Sequence, residues 1–510
     1  MNSHDIPFAH LWSRTVDRDG TRPFLLFRSD DGVTTQWTYA EFDRVVAQVA
    51  GSLRARGVGH GTPVHVVLRN APIFVATWLA VARLGAWMVP VDPASTARDV
   101  ASQVRRIRPQ VALVAASRAA AFREGASGAV PCVVELNEDA SDLDPQAEIL
   151  SSPPVTGAPV SPGDRLAVMF TSGTTSEPKG VDLTQACYTT VSLAMAQAAH
   201  LAARHRWFVS LPLFHANAQY YCFGPAIAVG ASVALVASFS ASRWVAQARD
   251  LEVTHASLFA SPIRMILART PSDIAPLALE HIWFAQSLGR EHHELFGSLA
   301  GRLPRQLYGM TETCAIVTAD ASEPPVHNVI GPAANRRICV VDPSTGHEVF
   351  PGEVGELWVH GQPGRDLFAG YLDAPEINAR ALTAHDGGYW FHTGDLVVRD
   401  AEGVCTFVGR MDDVIKVSGE NVSLTETEAA LAQAPGVLEV AVVAQPDPVR
   451  DQVPVAFIVA HDRANPPDMD ELEAWAAENL APAARPRAWN LIDELPRTSV
   501  GKVRRFQIPR

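Results

Sequence analysis

The 510-residue chain is predicted to be an α/β protein. A large N-terminal domain of parallel and mixed sheets covered by helices, with a β subdomain, is followed by a small α+β C-terminal domain. Three observations predict this. Capped helical segments alternate with short apolar runs through residues 1–160, as expected of parallel strands beneath crossover helices. Residues 350–375 instead carry strand patterns broken by glycine turns, and a further strand-like run follows at Trp390. A second helix-and-strand alternation begins after Gly409-Arg410-Met-Asp412-Asp413. The expected domains are therefore 1–410 and 411–510.

Each element has a local reason. Thr38-Tyr-Ala-Glu41 is a capping box that starts a helix to about Arg56. Pro63–Leu68 reads as a strand, residues 72–84 as a helix, Met88–Asp92 as a strand, and Val111–Ala115 as the strand ending a second unit. Residues 136–163, rich in Pro, Ser and Asp, form a loose connection. Arg165–Phe170 is a buried strand. Residues 225–239 are too short and too interrupted by glycine to span a membrane, and fit a helix followed by a buried strand. His255–Pro262 ends a further β/α unit. After 411 come a helix Thr425–Gln433, strands Glu439–Val443 and Val453–Val459, and a helix Met469–Asn479.

Composition excludes several classes. A hydrophobic content of 47% with 19% charged residues fits a large packed core, not a disordered chain. The net charge of −13, without a basic run, argues against nucleic acid as a partner. Six scattered cysteines form no C-x-x-C pair, so neither a zinc site nor a disulfide framework is expected. Glu291-His-His-Glu294 lacks a further ligand at helical spacing and reads as a solvated helix face. Ile73–Val91, the most apolar run, carries Arg83 and ends at a proline, which suits a buried helix and strand better than a membrane span. The first residues lack a signal-peptide pattern, so a cytoplasmic location is the expectation. The oligomeric state, a homodimer included, is left open.

The strongest chemical signal follows the strand at Arg165. Thr171-Ser172-Gly173-Thr174-Thr175-Ser176-Glu177-Pro178-Lys179-Gly180 places hydroxyls, a glycine and a lysine together. Small residues let backbone N–H groups approach phosphate oxygens, hydroxyls donate to the same oxygens, and lysine adds a point charge. Of 42 basic residues only three are lysines, Lys179, Lys416 and Lys502, and each lies in or beside a glycine-containing segment. Arginine serves surface charge equally well, so a compact ammonium suits these three sites. The loop is not the common P-loop, which requires Gly-Lys followed by Ser or Thr.

A second motif, Leu307-Tyr308-Gly309-Met310-Thr311-Glu312-Thr313, sets an aromatic ring, a glycine, a hydroxyl and a carboxylate in succession. Such a carboxylate suits Mg²⁺, which prefers oxygen ligands. Thr393-Gly394-Asp395 offers a bidentate acceptor for a sugar diol, or an ordinary turn. Residues 210–224 contain His215, Asn217 and Gln219. From the residues alone His215 reads as structural.

Together these motifs resemble the adenylate-forming superfamily of acyl-CoA synthetases, peptide-synthetase adenylation domains and luciferases, over nearly the whole chain. Among its branches the chain is similar to bacterial carnitine/crotonobetaine-type CoA ligases. The resemblance implies ATP, Mg²⁺ and coenzyme A as cofactors and a small carboxylic acid as substrate. Thr171, Ser172, Gly173, Thr174, Thr175 and Lys179 would hold phosphates. Tyr308 and Gly309 would sit against adenine, Thr311 at the α-phosphate, and Glu312 on the metal. Asp395 and Arg410 would hold the ribose. His215 would line the acyl pocket with Gln286, Ser287, Leu288 and Met310. Asn217 and Gln219 either join that pocket or supply ordinary helix polarity. Ser287-Leu288-Gly289 departs from the family's Gly-Gly-Ala-type turn, only Gly289 matching. Asp412 would be the hinge of a mobile small domain, and Lys502 the lysine that enters the adenylation site. Gly419 and Lys416 would serve a second arrangement for thiol attack. A carrier-protein phosphopantetheine or an amine, as in nitrite-activating diazotases, is the alternative acceptor. A nucleotide-binding regulator without turnover would require a lost residue, yet Glu312, Asp395, Arg410 and Lys502 are all present.

Overall fold

The computed structural model describes residues 6–171, 178–271, 273–418, 420–447, 449–497 and 503–508, except the side chains of Asn421 and Phe506. Four sheets organise them. The first has seven strands, in the order Gly370–Tyr371, Lys179–Thr184, Arg165–Thr171, Trp87–Pro90, Pro63–Val67, Val111–Ala115 and Cys132–Leu136. Its strands from Arg165 to Cys132 run parallel, and the hairpin Arg165–Thr184 adds an antiparallel edge. The second has eight: Thr318–Ala319, Arg305–Tyr308, His281–Ala285, His255–Phe259, Arg206–Val209, Ser232–Val236, Pro23–Arg28 and Thr34–Thr38. It too is parallel except at its two outer pairs.

The expected α/β class with parallel and mixed sheets is what the chain adopts. The Thr38 hydroxyl accepts from the Glu41 N–H, and the Glu41 carboxylate accepts from the Thr38 N–H at 2.8 Å, completing the capping box. The apolar run from Ile73 is a helix, Pro72–Leu84, buried along its whole length, then Gly85 at φ 64°, then the strand Trp87–Pro90. Its lone charge, Arg83, is paired to Asp43 and donates to the Val155 carbonyl at 3.4 Å. Among the described residues no helix is long and apolar enough to cross a membrane.

The main apolar core lies on one face of each large sheet and includes Phe8, Trp78, Tyr188 and Phe223. Two further clusters cover the opposite faces, one around Trp244 and Phe296, the other around Val89 and Phe122. The strands Pro23–Arg28 and Thr34–Thr38 have no counterpart in the sequence reading. The segment from Asn217 to Phe223 is a π-helix, a wider turn than the ordinary helix expected there.

The third sheet is antiparallel and joins Ile338–Val341, Val354–Gly361, Leu382–His385, Gly388–Arg399 and Cys405–Arg410. The fourth begins at Val414–Val417 and combines Glu420–Ser423, Val437–Asp447, Asp451–Ala460 and Ala488–Leu491 with the helices Leu424–Leu431 and Met469–Asn479. The short turn Met411–Asp413 links the third sheet to the fourth.

Candidate active site

The hairpin Arg165–Thr184 brings Thr171 opposite Lys179, with the Thr171 hydroxyl donating to the Lys179 carbonyl at 3.4 Å. Ser172, Gly173, Thr174 and Thr175 of the expected phosphate loop lie outside the described residues. Arg106 braces the base of the hairpin. It donates to the carbonyls of Pro178 at 2.8 Å and Leu372 at 3.3 Å and lies 5.0 Å from the Phe170 ring centroid. The Lys179 ammonium lies 5.2 Å from the centroid of the Tyr371 ring. That geometry places the cation within reach of the ring's negative face.

Tyr371 carries the link onward. Its hydroxyl donates to Glu312 Oε1 at 3.0 Å. Glu312 sits in the short turn Thr311–Thr313 and is buried, and burial raises its pKa above the ordinary value of 4.5. The hydrogen bond from Tyr371 and the charge of Arg410 pull the other way. A buried carboxylate whose ionised form is disfavoured is suited to a cation that would restore the balance. Among the described residues no group of three His, Cys, Asp or Glu side chains could hold a metal. Glu312 could supply one oxygen ligand to Mg²⁺, an ion that at nucleotide sites takes one or two carboxylates together with phosphate and water oxygens.

A second cluster adjoins the first. Asp395 stands on the strand Gly388–Arg399, paired in register with Arg410. The Tyr308 hydroxyl donates to Asp395 Oδ2 at 2.6 Å, and Arg410 Nε lies 3.4 Å from Asp395 Oδ1. The preceding turn is tied down: Gly394 has φ 71°, its N–H donates to Glu356 at 2.9 Å, and the Asp395 N–H donates to the Thr393 hydroxyl at 3.1 Å. Burial works against the Arg410 charge, but Asp395, Tyr308, Glu312 and Asp412 outweigh it and raise its pKa. Tyr308, Glu312, Asp395 and Arg410 thus form one electrostatic unit.

Gly309 is glycine for space. A Cβ there would lie 2.8 Å from the Tyr221 hydroxyl and 3.1 Å from the Ala315 carbonyl oxygen. The π-helix therefore borders the Tyr308–Thr313 motif. Met310 and Thr311 are half-buried beside it, with the Met310 N–H donating to the Thr313 hydroxyl at 3.1 Å. His215 is half-buried, its ring 4.8 Å from that of Phe214.

The two polar residues of the π-helix differ. Gln219 is fully buried, and both ends of its amide are engaged: Nε2 donates to the Leu213 carbonyl at 2.6 Å, and Oε1 accepts from the Tyr188 hydroxyl at 2.6 Å. That is helix-anchoring polarity. Asn217 donates to the Ser257 hydroxyl at 3.0 Å, a partner on the strand His255–Phe259.

On the neighbouring strand end, Gln286 is exposed at φ 75° and its carbonyl accepts from Gln306 at 3.1 Å. Ser287 is half-buried. Leu288 does not join them: it is fully buried in the cluster around Trp244. Gly289 caps the helix Arg290–Ala300, and a Cβ on it would lie 3.1 Å from the Gln433 side chain of the fourth sheet's domain. Asp412 is exposed in the turn between the third and fourth sheets, and Lys416 is exposed on the strand that follows. Gly419 and Lys502 lie outside the described residues.

Sequence reasoning missed Tyr371, Arg106 and Ser257. Tyr371 was visible only as part of a β-like run, and Arg106 and Ser257 carried no motif.

The model of the AMP-binding enzyme family matches residues 12–372, and that of the AMP-binding enzyme C-terminal domain matches residues 426–502. A crotonobetaine/carnitine–CoA ligase of Citrobacter koseri is 27% identical, and one of Shigella flexneri 28% identical, with 97% of both chains covered in each case. Among solved structures, an anthranilate CoA ligase in complex with anthranoyl-AMP superposes with a TM-score of 0.88 at 22% identity, covering 100% of this chain and 98% of that one. A benzoate CoA ligase from Burkholderia xenovorans LB400 gives 0.86 at 23% identity and 99% coverage of both. With both family models matched in order along its length, the chain belongs to the AMP-binding enzyme family.

Proposed function

We propose that this chain is an AMP-forming acyl-CoA ligase. It activates a small carboxylic acid with ATP and passes the acyl group to the thiol of coenzyme A. The observation that carries the reading is the continuous chain of contacts from Lys179 through Tyr371 to Glu312, beside the Tyr308–Asp395–Arg410 cluster. It brings a cation and a metal-suited carboxylate together beside a sugar-suited one, and this supports a nucleotide site. The names of the curated relatives favour coenzyme A as the acceptor.

The first step joins two anions, so catalysis is charge neutralisation and alignment. The carboxylate oxygen attacks the α-phosphorus of ATP, and the bond to pyrophosphate breaks. Lys179 and the hydroxyls of Thr171, Ser172, Thr174 and Thr175 hold the β- and γ-phosphates, and Thr311 meets the α-phosphate. Asp395 accepts from the ribose hydroxyls, with Arg410 holding its charge in place. Mg²⁺ held by Glu312 would neutralise charge on the departing pyrophosphate. Lys502 bridges the attacking carboxylate and the α-phosphate. In the second step the thiol sulfur attacks the acyl carbonyl and AMP leaves. The small domain, residues 411–510, turns about Asp412 so that Lys502 withdraws, and Gly419 and Lys416 then border the thiol path. His215, Asn217, Gln286, Ser287 and Met310 face the acid. The positions of Gln219 and Leu288 favour packing roles instead.

The test is ATP–pyrophosphate exchange with crotonobetaine, carnitine, anthranilate, benzoate and nitrite, then AMP release with coenzyme A, a phosphopantetheinyl carrier protein or an amine. Acid-dependent exchange with AMP release only on adding coenzyme A is expected. Release with carrier protein or amine alone would replace the acceptor, and no exchange with any acid would overturn the adenylating reading.

A further inference from the structure

The C-terminal segment beside Lys502 is clamped in a way that the chemistry above does not use. Arg497 and Val503 form an antiparallel bridge, and the Arg504 N–H donates to the Pro496 carbonyl at 2.7 Å. These two ties bracket residues 498–502 in sequence. Val503 packs against an apolar cluster of the small domain in which Ile508 is buried.

Arg505 fastens this stem to two other segments. Its Nε donates to Glu428 Oε1 at 3.0 Å and its Nη2 to Glu428 Oε2 at 2.7 Å. Its third nitrogen, Nη1, donates to Asp413 Oδ2 at 2.6 Å. Glu428 lies on the helix Leu424–Leu431 and also accepts from the Val442 N–H at 2.7 Å, so it is itself fixed. Asp413 belongs to the interdomain turn Met411–Asp413, next to Asp412. Burial opposes the Arg505 charge, but the two carboxylates outweigh it and raise its pKa. The fork makes a bidentate pair with one carboxylate and a single bond to the other, which a lysine cannot reproduce.

We propose that Arg505 is a positioning residue for Lys502, tying the segment that carries the lysine to the interdomain turn. The inference rests on the proposed role of Lys502. Lysine hangs its ammonium on a flexible four-carbon stem, so its placement depends on how firmly the backbone beneath it is held. Only two residues separate Lys502 from Arg505, roughly 10 Å of extended chain at most over the three steps. A fixed Arg505 therefore limits where the ammonium can go. Through Asp413, the place of Lys502 is also coupled to the turn about which the domains are proposed to rotate. A merely stabilising role would affect both half-reactions alike, whereas a positioning role affects adenylation alone.

The experiment measures both half-reactions in the full-length protein, using the acid that gives the fastest exchange in the panel and its chemically prepared adenylate. The variants are Arg505→Lys, Arg505→Ala and Asp413→Asn, with the exposed, surface-paired Arg463→Ala as control. Pyrophosphate exchange by Arg505→Ala should fall about ten- to hundredfold in kcat, with little change in KM for ATP. Arg505→Lys and Asp413→Asn should fall between Arg505→Ala and the parent. Thioester formation from adenylate and coenzyme A should stay near the parent rate in all of them. Hydrogen exchange in the 503–508 peptide should quicken in Arg505→Ala. Equal loss of both steps, or unimpaired exchange by Arg505→Ala, overturns the proposal. Lys502→Ala runs in parallel: if it keeps exchange, the reading of Lys502 itself falls. If it alone loses exchange, only the positioning role falls.

Discussion

The Tyr371 hydroxyl donates to Glu312 Oε1 at 3.0 Å while the Lys179 ammonium sits 5.2 Å from the centroid of the same ring. One phenol therefore couples the end of the phosphate hairpin to the carboxylate suited to the metal. Its effect on Glu312 has a definite sign. A hydrogen bond to the charged form lowers a carboxyl pKa, and here it opposes the larger effect of burial, which raises it.

Glu312→Gln should abolish exchange and leave the fold intact. The pKa of Glu312 is raised in the folded chain, so the folded state keeps this proton to higher pH than the unfolded state does. The cost of the buried charge is absent below the unfolded value and fully present above the folded one. The variant should therefore melt no lower than the parent at pH 8, measured without nucleotide. The kcat/KM for ATP of the parent in exchange should rise with pH through a value above 4.5, the ordinary figure for glutamate, because it reports the free enzyme. A variant that exchanges normally would remove Glu312 from the metal site.

Tyr371→Phe tests the coupling itself. A hydrogen bond to a charged group contributes about 1.5–3 kcal/mol. Without it the charged form of Glu312 is less favoured, so the acid limb of the exchange profile should move to higher pH. The pH profile of kcat/KM for ATP in exchange, which reports groups of the free enzyme, is the measurement. An unmoved limb would mean that Glu312 does not control it.

Asp395 should govern recognition of the ribose. Asp395→Ala should raise KM for ATP and abolish the preference for ATP over 2′-deoxy-ATP. Losing a hydrogen bond to a charged partner is worth about 1.5–3 kcal/mol, so the preference should shrink by roughly ten- to hundredfold. If the variant still prefers ATP as strongly as the parent, Asp395 does not read the sugar hydroxyls.

These residues were legible in the sequence because the chemistry needs rare types in close order. A lysine retained among arginines, a Thr-Gly-Asp turn and a Tyr-Gly-Met-Thr-Glu run are hard to explain as surface. The alternating strands and helices were legible for a similar reason, since caps and apolar runs are local. Long-range partners were not. Tyr371 lies 59 residues from Glu312, and nothing in either segment announces the contact. Burial was not legible for Gln219 and Leu288: a polar residue can satisfy itself inside the core, and a residue in a site motif can turn into a core. The order of strands within each sheet was equally hidden, because crossover helices leave no record of which neighbour the next strand joins.

Asn217 and Gln219 should therefore separate on substitution. Gln219→Leu leaves the Leu213 carbonyl and the Tyr188 hydroxyl without their partner, at about 1–3 kcal/mol for each unsatisfied group. Its melting temperature should fall while its acid preferences stay. Asn217→Leu should instead change the acid profile, by roughly ten- to two-hundredfold if the pocket gains a methylene-scale apolar contact. A Gln219 variant with a changed profile and unchanged melting would reverse the assignment.

Gly309 offers the sharpest geometric test. Its backbone does not lie in the left-handed region, so glycine is not required for conformation. It is required by the Tyr221 hydroxyl, 2.8 Å from where a Cβ would stand, and by the Ala315 carbonyl oxygen at 3.1 Å. Gly309→Ala must push the π-helix and the Tyr308–Thr313 motif apart, and a shift approaching 1 Å at a reacting site can cost about 10² in rate. Tyr221→Phe removes the closer of the two obstructing atoms. The double variant Gly309→Ala with Tyr221→Phe should therefore recover part of the lost exchange, with a coupling of about 0.5–3 kcal/mol in a double-mutant cycle. Recovery will be incomplete because the Ala315 oxygen belongs to the backbone and can give only a few tenths of an ångström. Simple additivity of the two substitutions would show that the closeness of Tyr221 is not what keeps a glycine at this position.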